Sequence, residues 1–496
     1  MADVGAEAEL HDPQPAPAKE QHDTPFDWGG WARDRWLWGA IGLGLVLRVL
    51  PMILWPQFEC IRDECIYRAM ADAIREGDGL TVSNKGWLPS PGYPYLLAFC
   101  KTVFGSYFSI KVLQIILSVI TNYFVYGIGY RIGADPTRPN AAEARRRTAR
   151  VAAFLFALHP TLAWFTNTQW IETIYIFFVL GAMLFLLASR AGKPVVALVS
   201  GLFLGGAMLF KGVATYMPPF FLIAALYPWD TPWQLGSWVR SLRARSGHVA
   251  AFVLGILITV GPYSVYASKR HGGFMVVDAT VGHVLFLGNN DFPPLTFDYG
   301  NGMLTQPLFG KYLRAGRRPC NREVSPVISS SCEVDAVVEW VKDHPDKFVE
   351  RIPVRLAQMF NPNSFLTRHI RWGYWTGLPW WAKEGLSVLI VLFSIAITWL
   401  GTIAAWGRAR GPYAWMAVSA VLYTLATTMV SYGMTRFRLP LEALWLPYLA
   451  LFLAQPKVTW QAVVASPTRL AGVLLTLPPL VVLTLWYLPT GFPMFW

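Results

Sequence analysis

The feature that most restricts this chain is a series of apolar runs, many about twenty residues long, joined mostly by short polar loops. The run at 36–55 is long enough to cross a hydrocarbon core of ~30 Å at ~1.5 Å per residue. Further runs read at 107–130, 151–168, 172–189, 195–211, 214–228, 248–267, 384–406, 412–431, 439–455 and 470–488. The expected fold class is an all-α polytopic membrane protein of about eleven transmembrane helices, with in-plane helices and a small mixed loop domain outside the membrane. Composition agrees: charged residues make up 15% of the chain, against ~25% in soluble domains. Many of the 23 tryptophans sit near the ends of the runs, as interfacial anchors do.

The net charge of +12 follows the loops. Arg33 and Arg35 precede the first run, which puts the N-terminus in the cytoplasm. The loops then assigned inside carry Arg138, Arg145, Arg146, Arg147 and Arg150, then Arg190 and Lys193, then Arg240, Arg243 and Arg245, then Arg408 and Arg410. These are topology signals, and without a basic helix or an aromatic RNA-binding motif no nucleic-acid partner is expected. Residues 1–27 lack a basic n-region and an apolar core, so they read as a disordered cytoplasmic tail and the first span as an uncleaved insertion signal. The expected organisation is a transmembrane core over 28–267 that includes a first outer loop at 56–106, an outer loop domain at 268–383, and C-terminal spans over 384–496. A multi-pass protein of the cytoplasmic (inner) membrane is expected, with membrane lipids as partners and an endoplasmic-reticulum membrane as the alternative.

The five cysteines add little. Cys320 and Cys332 fall in the long outer loop, where a disulfide and free thiols are equally expected. Cys60 and Cys65 can be linked only if the chain between them is not helical, and Cys100 reads as an inert apolar filler. The sequence has no CxxC or HExxH, so a zinc site is not expected.

The first outer loop opens with Asp63-Glu64. On a helical wheel for 63–76, Ile66, Tyr67, Met70, Ala73 and Ile74 share one face, and Glu64, Arg68, Asp72, Arg75 and Glu76 share the other. Asp63 falls near the middle of the apolar face, and Glu64 is placed to pair with Arg68 at i,i+4. Neighbouring helical residues point ~100° apart, so Asp63 is expected to face a chamber and Glu64 to be mainly structural. A helix N-cap is the competing role for Asp63. Ser90-Pro91 reads as an N-cap and first-turn pair opening a second in-plane helix from Tyr93 to Phe104. Lys85 lies in the turn between the two, where a solvated or snorkelling lysine is the bland reading.

Late in the chain, Arg436-Phe437-Arg438 stands where one span ends and the next begins. Two forked guanidiniums flanking an aromatic ring suit a lipid phosphate, or serve as plain headgroup anchors, with Glu442 balancing one of them. Glu172 and Lys211 lie at outer span ends and are candidates to line a cavity. Gly288-Asn289-Asn290 follows a strand-like run at 274–287, and His283 within that run reads as structural.

Taken in order, Arg62-Asp63-Glu64 with Tyr67, Pro91-Gly92-Tyr93-Pro94, His159-Pro160 with Glu172, the Gly-rich span from Gly201 to Lys211, Gly261-Pro262-Tyr263, Gly288-Asn289-Asn290 and Arg436-Phe437-Arg438-Leu439-Pro440 match a family pattern. The chain resembles the GT-C glycosyltransferases, specifically bacterial relatives of protein O-mannosyltransferases and of the aminoarabinose transferases that act on lipid A. It departs in having Lys211 where arginine is also common and Phe437 where tyrosine is frequent.

The resemblance implies an inverting transfer of a monosaccharide from a polyprenyl-phosphate donor to an acceptor hydroxyl on the outer face. Asp63 is the implied general base, with Glu64 as a second candidate. Arg436 and Arg438 are implied to hold the donor phosphate, helped by Lys85 and Lys211. Tyr67, Tyr93, Glu172, His283 and Asn289 are implied to line the chamber. No essential metal or other cofactor is expected, and the acceptor, whether protein, lipid or glycan, is left open. A transporter or flippase of lipid-linked saccharides is the alternative. It would place broken helices or polar groups at span midpoints, whereas the candidate charges here cluster at outer ends. A third reading is a non-catalytic assembly partner.

Overall fold

The structure, a computed structural model, describes residues 27–486 apart from 57–58, 61–62, 81–87, 134–139, 229–232, 292–295, 299–302, 306–319, 321–324, 364–365, 368–369, 371–376 and 409–410. Lys85, Arg62 and the tail at 1–26 therefore lie outside the described residues.

The helices run α1 Trp28–Ala32, α2 Arg35–Leu54, α3 Asp63–Glu76, α4 Gly92–Phe104, α5 Ser109–Ile132, α6 Ala141–Leu158, α7 Pro160–Phe165, α8 Glu172–Ser189, α9 Pro194–Phe210, α10 Pro218–Leu226, α11 Leu235–His271, α12 Val281–Gly288, α13 Pro326–Asp343, α14 Pro345–Phe360, α15 Trp380–Arg408, α16 Gly411–Val430, α17 Thr435–Ala454, α18 Pro456–Val464 and α19 Pro467–Leu485. One antiparallel hairpin, β1 Thr296–Asp298 with β2 Met303–Thr305, lies between α12 and α13.

Among the described residues, eight helices are long and apolar enough to cross a membrane: α2, α5, α8, α11, α15, α16, α17 and α19. The chain is an all-α, multi-pass membrane protein. Three expected spans take other forms. The run at 151–168 breaks at His159-Pro160 into α6 and α7. Helix α9 has 17 residues. The run at 214–228 becomes a 3₁₀ turn, Gly212–Tyr216, followed by the nine residues of α10, which reach only ~14 Å. Pro218 and Pro219 open that short helix, as prolines do at a first turn. Helix α11 has 37 residues, so at ~1.5 Å per residue it extends well past a ~30 Å core. Its extra length carries Arg240, Arg243 and Arg245.

Helix α8 is the centre of the bundle, with 89% of its apolar window buried, whereas α11 and α19 each bury 17%. The outer helices thus turn leucines and isoleucines such as Leu257, Ile258 and Leu475 outward, as helices facing acyl chains do. Where α9 meets α11, a Cβ on Gly201 would stand 2.0 Å from the Phe252 carbonyl oxygen and one on Gly255 2.4 Å from that of Leu198. This is the small-residue contact that lets membrane helices approach closely.

The charge buried inside α2 is satisfied locally. Arg48 is buried and donates to Ser118 Oγ (2.8 Å) and to the carbonyls of Gly44 (3.0 Å), Ala157 (3.1 Å) and Phe156 (3.3 Å). It therefore satisfies the open carbonyls at the C-terminus of α6.

Outside the spans, α3 and α4 follow the expected in-plane helices, but Ser90 does not cap α4. That helix starts at Gly92 without a side-chain cap. The strand-like run at 274–287 ends in helix α12 instead, held by docking on α13. Gly282 N donates to Ser330 Oγ (3.0 Å), and a Cβ at 282 would lie 2.0 Å from the Ser330 carbonyl oxygen. The outer segment at 268–383 also holds α13 and α14. Disulfides join Cys320 to Cys332, and Cys60, ahead of α3, to Cys65 in its first turn. Cys100 is free and buried.

Candidate active site

Helices α3, α4, α8, α12, α16 and α17, with the Phe210–Val213 corner after α9, enclose a chamber of about 590 Å³, within the ~300–1,000 Å³ of typical ligand sites. One wall is charged. Asp63, the first residue of α3, accepts a hydrogen bond through Oδ2 from Arg436 Nη1 at 3.0 Å. Arg436 sits in the first turn of α17, with its guanidinium 5.0 Å from the Trp170 ring and 5.9 Å from that of Phe437. Its Nε has no acceptor among the described residues. The Asp63 side chain keeps 41% of its exposure and that of Arg436 17%, so the pair faces the chamber and is open to exchange.

Lys211 follows α9 directly and adds a second cation. Its Nζ lies 3.4 Å from Glu172 Oε1, 5.3 Å from the Tyr175 ring and 6.0 Å from that of Phe437. Glu172 is fully buried behind the lysine and is not among the lining residues. Tyr67 and Tyr93 do line the chamber, their rings edge to face at 5.1 Å. Burial holds both phenols above their ordinary range, so each stays a protonated donor. The Tyr93 hydroxyl has no partner among the described residues.

Besides Glu172, three further sequence candidates fall outside the lining. Glu64 was expected on the outward face of α3, yet it is buried and its Oε1 accepts from the Gln169 backbone N–H at 2.7 Å. Arg68 Nε donates to the side chain of the same glutamine at 2.6 Å. Glu64 thus anchors the connection into α8 and is absent from the chamber lining.

Arg438 is buried in the opposite direction from Arg436. Its Nε donates to Glu442 Oε1 (2.8 Å) and its Nη1 to the carbonyls of Met359 (3.1 Å) and Asn361 (2.6 Å). Glu442 also accepts from Ser394 Oγ (2.8 Å), and its Oε2 lies 3.3 Å from His159 Nε2. Because α17 begins at Thr435, Arg436 and Arg438 point ~200° apart and only one can face the cavity.

Asn289 is likewise buried outside the lining. It donates to the carbonyls of Leu285 (2.9 Å) and Val430 (2.8 Å) and accepts from Arg355 Nη2 (2.8 Å). With Arg351 and Arg355 both on the Gly288 carbonyl (2.9 and 2.8 Å), it fastens α14 to the chamber rim. His283 does line the chamber, and α13 brings Glu333 Oε1 to 3.9 Å from its Nδ1.

Sequence reasoning missed a second carboxylate. Asp278, between α11 and α12, lines the chamber and accepts from Ser90 Oγ at 2.8 Å. Thr280 donates to it through its hydroxyl and its backbone N–H. Burial pushes its carboxyl above the ordinary value. A Cβ on Gly212 would stand 1.8 Å from Asp278 Oδ2, so glycine is what admits the carboxylate to this corner. An isolated acid in the apolar string Met275-Val276-Val277-Asp278-Ala279 was the available signal. Among the described residues, no three His, Cys, Asp or Glu side chains converge as a metal site would need.

The lining also has an apolar sector, with Val179 of α8, Ala420 of α16, and Leu441 and Leu444 of α17, next to hydroxyl-bearing residues of α16 such as Thr424, Thr427 and Thr428. The chamber therefore joins two cations, two carboxylates and a greasy sector within one cavity.

No family model matches the chain, and no curated protein matches it either. Among solved structures it is similar to the oligosaccharyltransferase of Archaeoglobus fulgidus tethered to an acceptor peptide containing the NVT sequon, at 12% identity over 92% of this chain and 55% of that chain, with a TM-score of 0.43. It is also similar to AglB of the same organism in complex with an inhibitory peptide and a dolichol-phosphate (14%, 90% and 55%, TM-score 0.38). A third is ArnT from Cupriavidus metallidurans bound to undecaprenyl phosphate (13%, 85% and 78%, TM-score 0.38). The chain spans 55% of the length of the archaeal chains.

Proposed function

We propose that the protein is an inverting glycosyltransferase of the cytoplasmic membrane. It moves a monosaccharide from a polyprenyl phosphate to an acceptor hydroxyl on the outer face. The observation that carries this reading is the Asp63–Arg436 pair at 3.0 Å on the chamber wall, with Arg436 Nε unpaired among the described residues and Lys211 alongside. The motif resemblance supports it independently.

An arriving lipid phosphate competes with Asp63 for the guanidinium and binds between Arg436 and Lys211, its chain against the apolar sector. Asp63, relieved of its partner, accepts the proton of the acceptor hydroxyl. The acceptor oxygen forms its bond to the anomeric carbon from the face opposite the leaving group. The bond from that carbon to the phosphate oxygen breaks, and its electron pair stays on the phosphate, where the two fixed cations meet the growing charge. Arg438, committed to Glu442, has no place in this clamp.

The test is sugar transfer by the full chain in nanodiscs, supplied with labelled polyprenyl-phosphate sugars and envelope extract. Loss of transfer in Asp63→Asn with donor binding retained supports the base assignment. Loss of donor binding in Arg436→Ala supports the clamp. Normal turnover by Asp63→Asn refutes the mechanism, and movement of lipid-linked sugar across the bilayer without donor consumption favours a flippase.

A further inference from the structure

We propose that the Ser90–Asp278 corner is the subsite that holds the hydroxyls of the transferred sugar, with Tyr93 as a further donor. The inference rests on the glycosyltransferase reading and deepens it.

Three observations meet here. The Asp278 carboxylate faces the chamber, and the described donors it receives are neutral ones: Ser90 Oγ at 2.8 Å and the hydroxyl and N–H of Thr280. An ionised carboxylate offers about four lone-pair sites, so it retains acceptor capacity toward the cavity. Tyr93 lines the same cavity, and its hydroxyl, on a side chain with no exposure to solvent, has no partner among the described residues. A buried polar group without a partner is costly to keep, which is the signature of a group awaiting a ligand. Third, the corner is built to admit the carboxylate, since any side chain at Gly212 would collide with Asp278 Oδ2.

A carboxylate with spare acceptor capacity and a phenolic donor residue on the same cavity match a polyhydroxylated ring, whose hydroxyls both donate and accept. It does not match a phosphate, which the carboxylate would repel. Position then selects the donor sugar over an acceptor carbohydrate. Gly212, against which Asp278 packs, follows Lys211 in the chain, and Lys211 is one of the two chamber cations. A pyranose joined directly to a phosphate at those cations presents its hydroxyls one ring away, at this corner. Asp63 sits across the Arg436 side and stays free for the acceptor proton.

The experiment measures binding of bare undecaprenyl phosphate and of undecaprenyl phosphates carrying glucose, mannose, galactose or N-acetylglucosamine, to the full chain in nanodiscs. Wild type is compared with Asp278→Asn, Ser90→Ala and Arg436→Ala. At least one sugar-bearing lipid should bind wild type more tightly than the bare lipid. Asp278→Asn should remove that difference, a loss of roughly tenfold or more for a hydrogen bond to a charged group, while bare-lipid affinity is not weakened. Ser90→Ala should reduce the difference in the same sense, and it stands in if the Asp278 variant does not fold. Arg436→Ala should weaken every lipid alike. A sugar-dependent difference that survives in both corner variants overturns the subsite, including the case where they alter only the acceptor KM. Equal weakening of bare and sugar-bearing lipids by Asp278→Asn also overturns it, as does a wild type that binds bare lipid and gains nothing from any sugar. Failure of wild type to bind any of the lipids overturns the glycosyltransferase reading itself, and the subsite with it.

Discussion

Replacing Arg438 by methionine separates the two arginines that the sequence presents as a pair. Both Arg438 and Glu442 are nearly devoid of solvent, with side-chain exposures of 3% and 5%, and their contact is 2.8 Å. Removing the arginine leaves the Glu442 carboxylate buried, with His159 and Ser394 as its remaining side-chain partners among the described residues. It also strands the carbonyls of Met359 and Asn361, which tie α14 to α17. Breaking one partner out of a buried pair costs about 3–5 kcal/mol, a large share of the roughly 5–15 kcal/mol that holds a typical domain together. Arg436 differs because its partner Asp63 is 41% exposed, and such pairs contribute about 0–1 kcal/mol.

Thermal unfolding in nanodiscs, read beside bare undecaprenyl phosphate binding, tells them apart. Arg438→Met should melt far earlier, and the double variant Arg438→Met/Glu442→Met should recover much of the loss, because no lone charge remains buried. Arg436→Met should melt close to wild type and lose the lipid. An Arg438→Met protein that melts like wild type yet fails to bind lipid phosphate would refute the structural assignment. So would a large loss of stability in Arg436→Met.

Asp63→Asn should slow transfer by about 10²- to 10⁴-fold, the usual contribution of a general base, while bare-lipid binding in the same nanodiscs is kept or tightened, because the carboxylate that competes for Arg436 is gone. Gly288→Ala places a methyl 1.8 Å from the Ser431 carbonyl oxygen, a backbone atom that cannot rotate away. It should cost about 1–3 kcal/mol or more, read as a lowered melting temperature. The Asp278 carboxyl is raised by burial from an ordinary 3.8. Its contribution to stability is therefore full below that value and is lost as pH climbs through the folded value. Asp278→Asn should then gain stability relative to wild type toward pH 7, with the gap closing on acidification; a pH-independent difference would contradict this. Transfer should continue at an unchanged rate after exhaustive chelation of divalent ions, and a loss restored by added Mg²⁺ or Mn²⁺ would show that a metal takes part.

Much of the scaffold was legible because hydrocarbon imposes one rule on every span. The boundaries of α8 and α3 follow the reading closely, the latter from the periodicity of Ile66, Tyr67, Met70 and Ile74. The wheel failed at Glu64 because it assumes that the polar face meets water, whereas Gln169, more than 100 residues away, supplies a buried donor. The outer-end charges Asp63, Lys211 and Arg436 were visible one by one. Their meeting was not, since Asp63 and Arg436 are 373 residues apart. Arg438 departs from the expected clamp because 436–438 is not a junction between spans but the first turns of a helix, where the two arginines point in opposite directions. Asp278 was hidden in a run whose β-branched residues suggest a strand, and the close approach of Gly212 that makes room for it leaves no mark in either segment.

The glycine contact between α9 and α11 sets where this protein can vary. Between membrane helices the lipid supplies no hydrophobic drive, so the seam at Gly201 and Gly255 rests on dispersion, which fades within an ångström of separation. A methyl at Gly201 would meet backbone, with no rotamer to absorb it. The two axes would have to part, and α9 runs on from that point for nine more residues to end at Phe210, beside Lys211. Over ~14 Å of stiff helix, a small wedge at the seam becomes a displaced ammonium in the chamber. Substitutions far from the cavity along this line should therefore act as remote attenuators of the cation, while the leucines a few positions away on the lipid-facing side of α11 tolerate exchange freely.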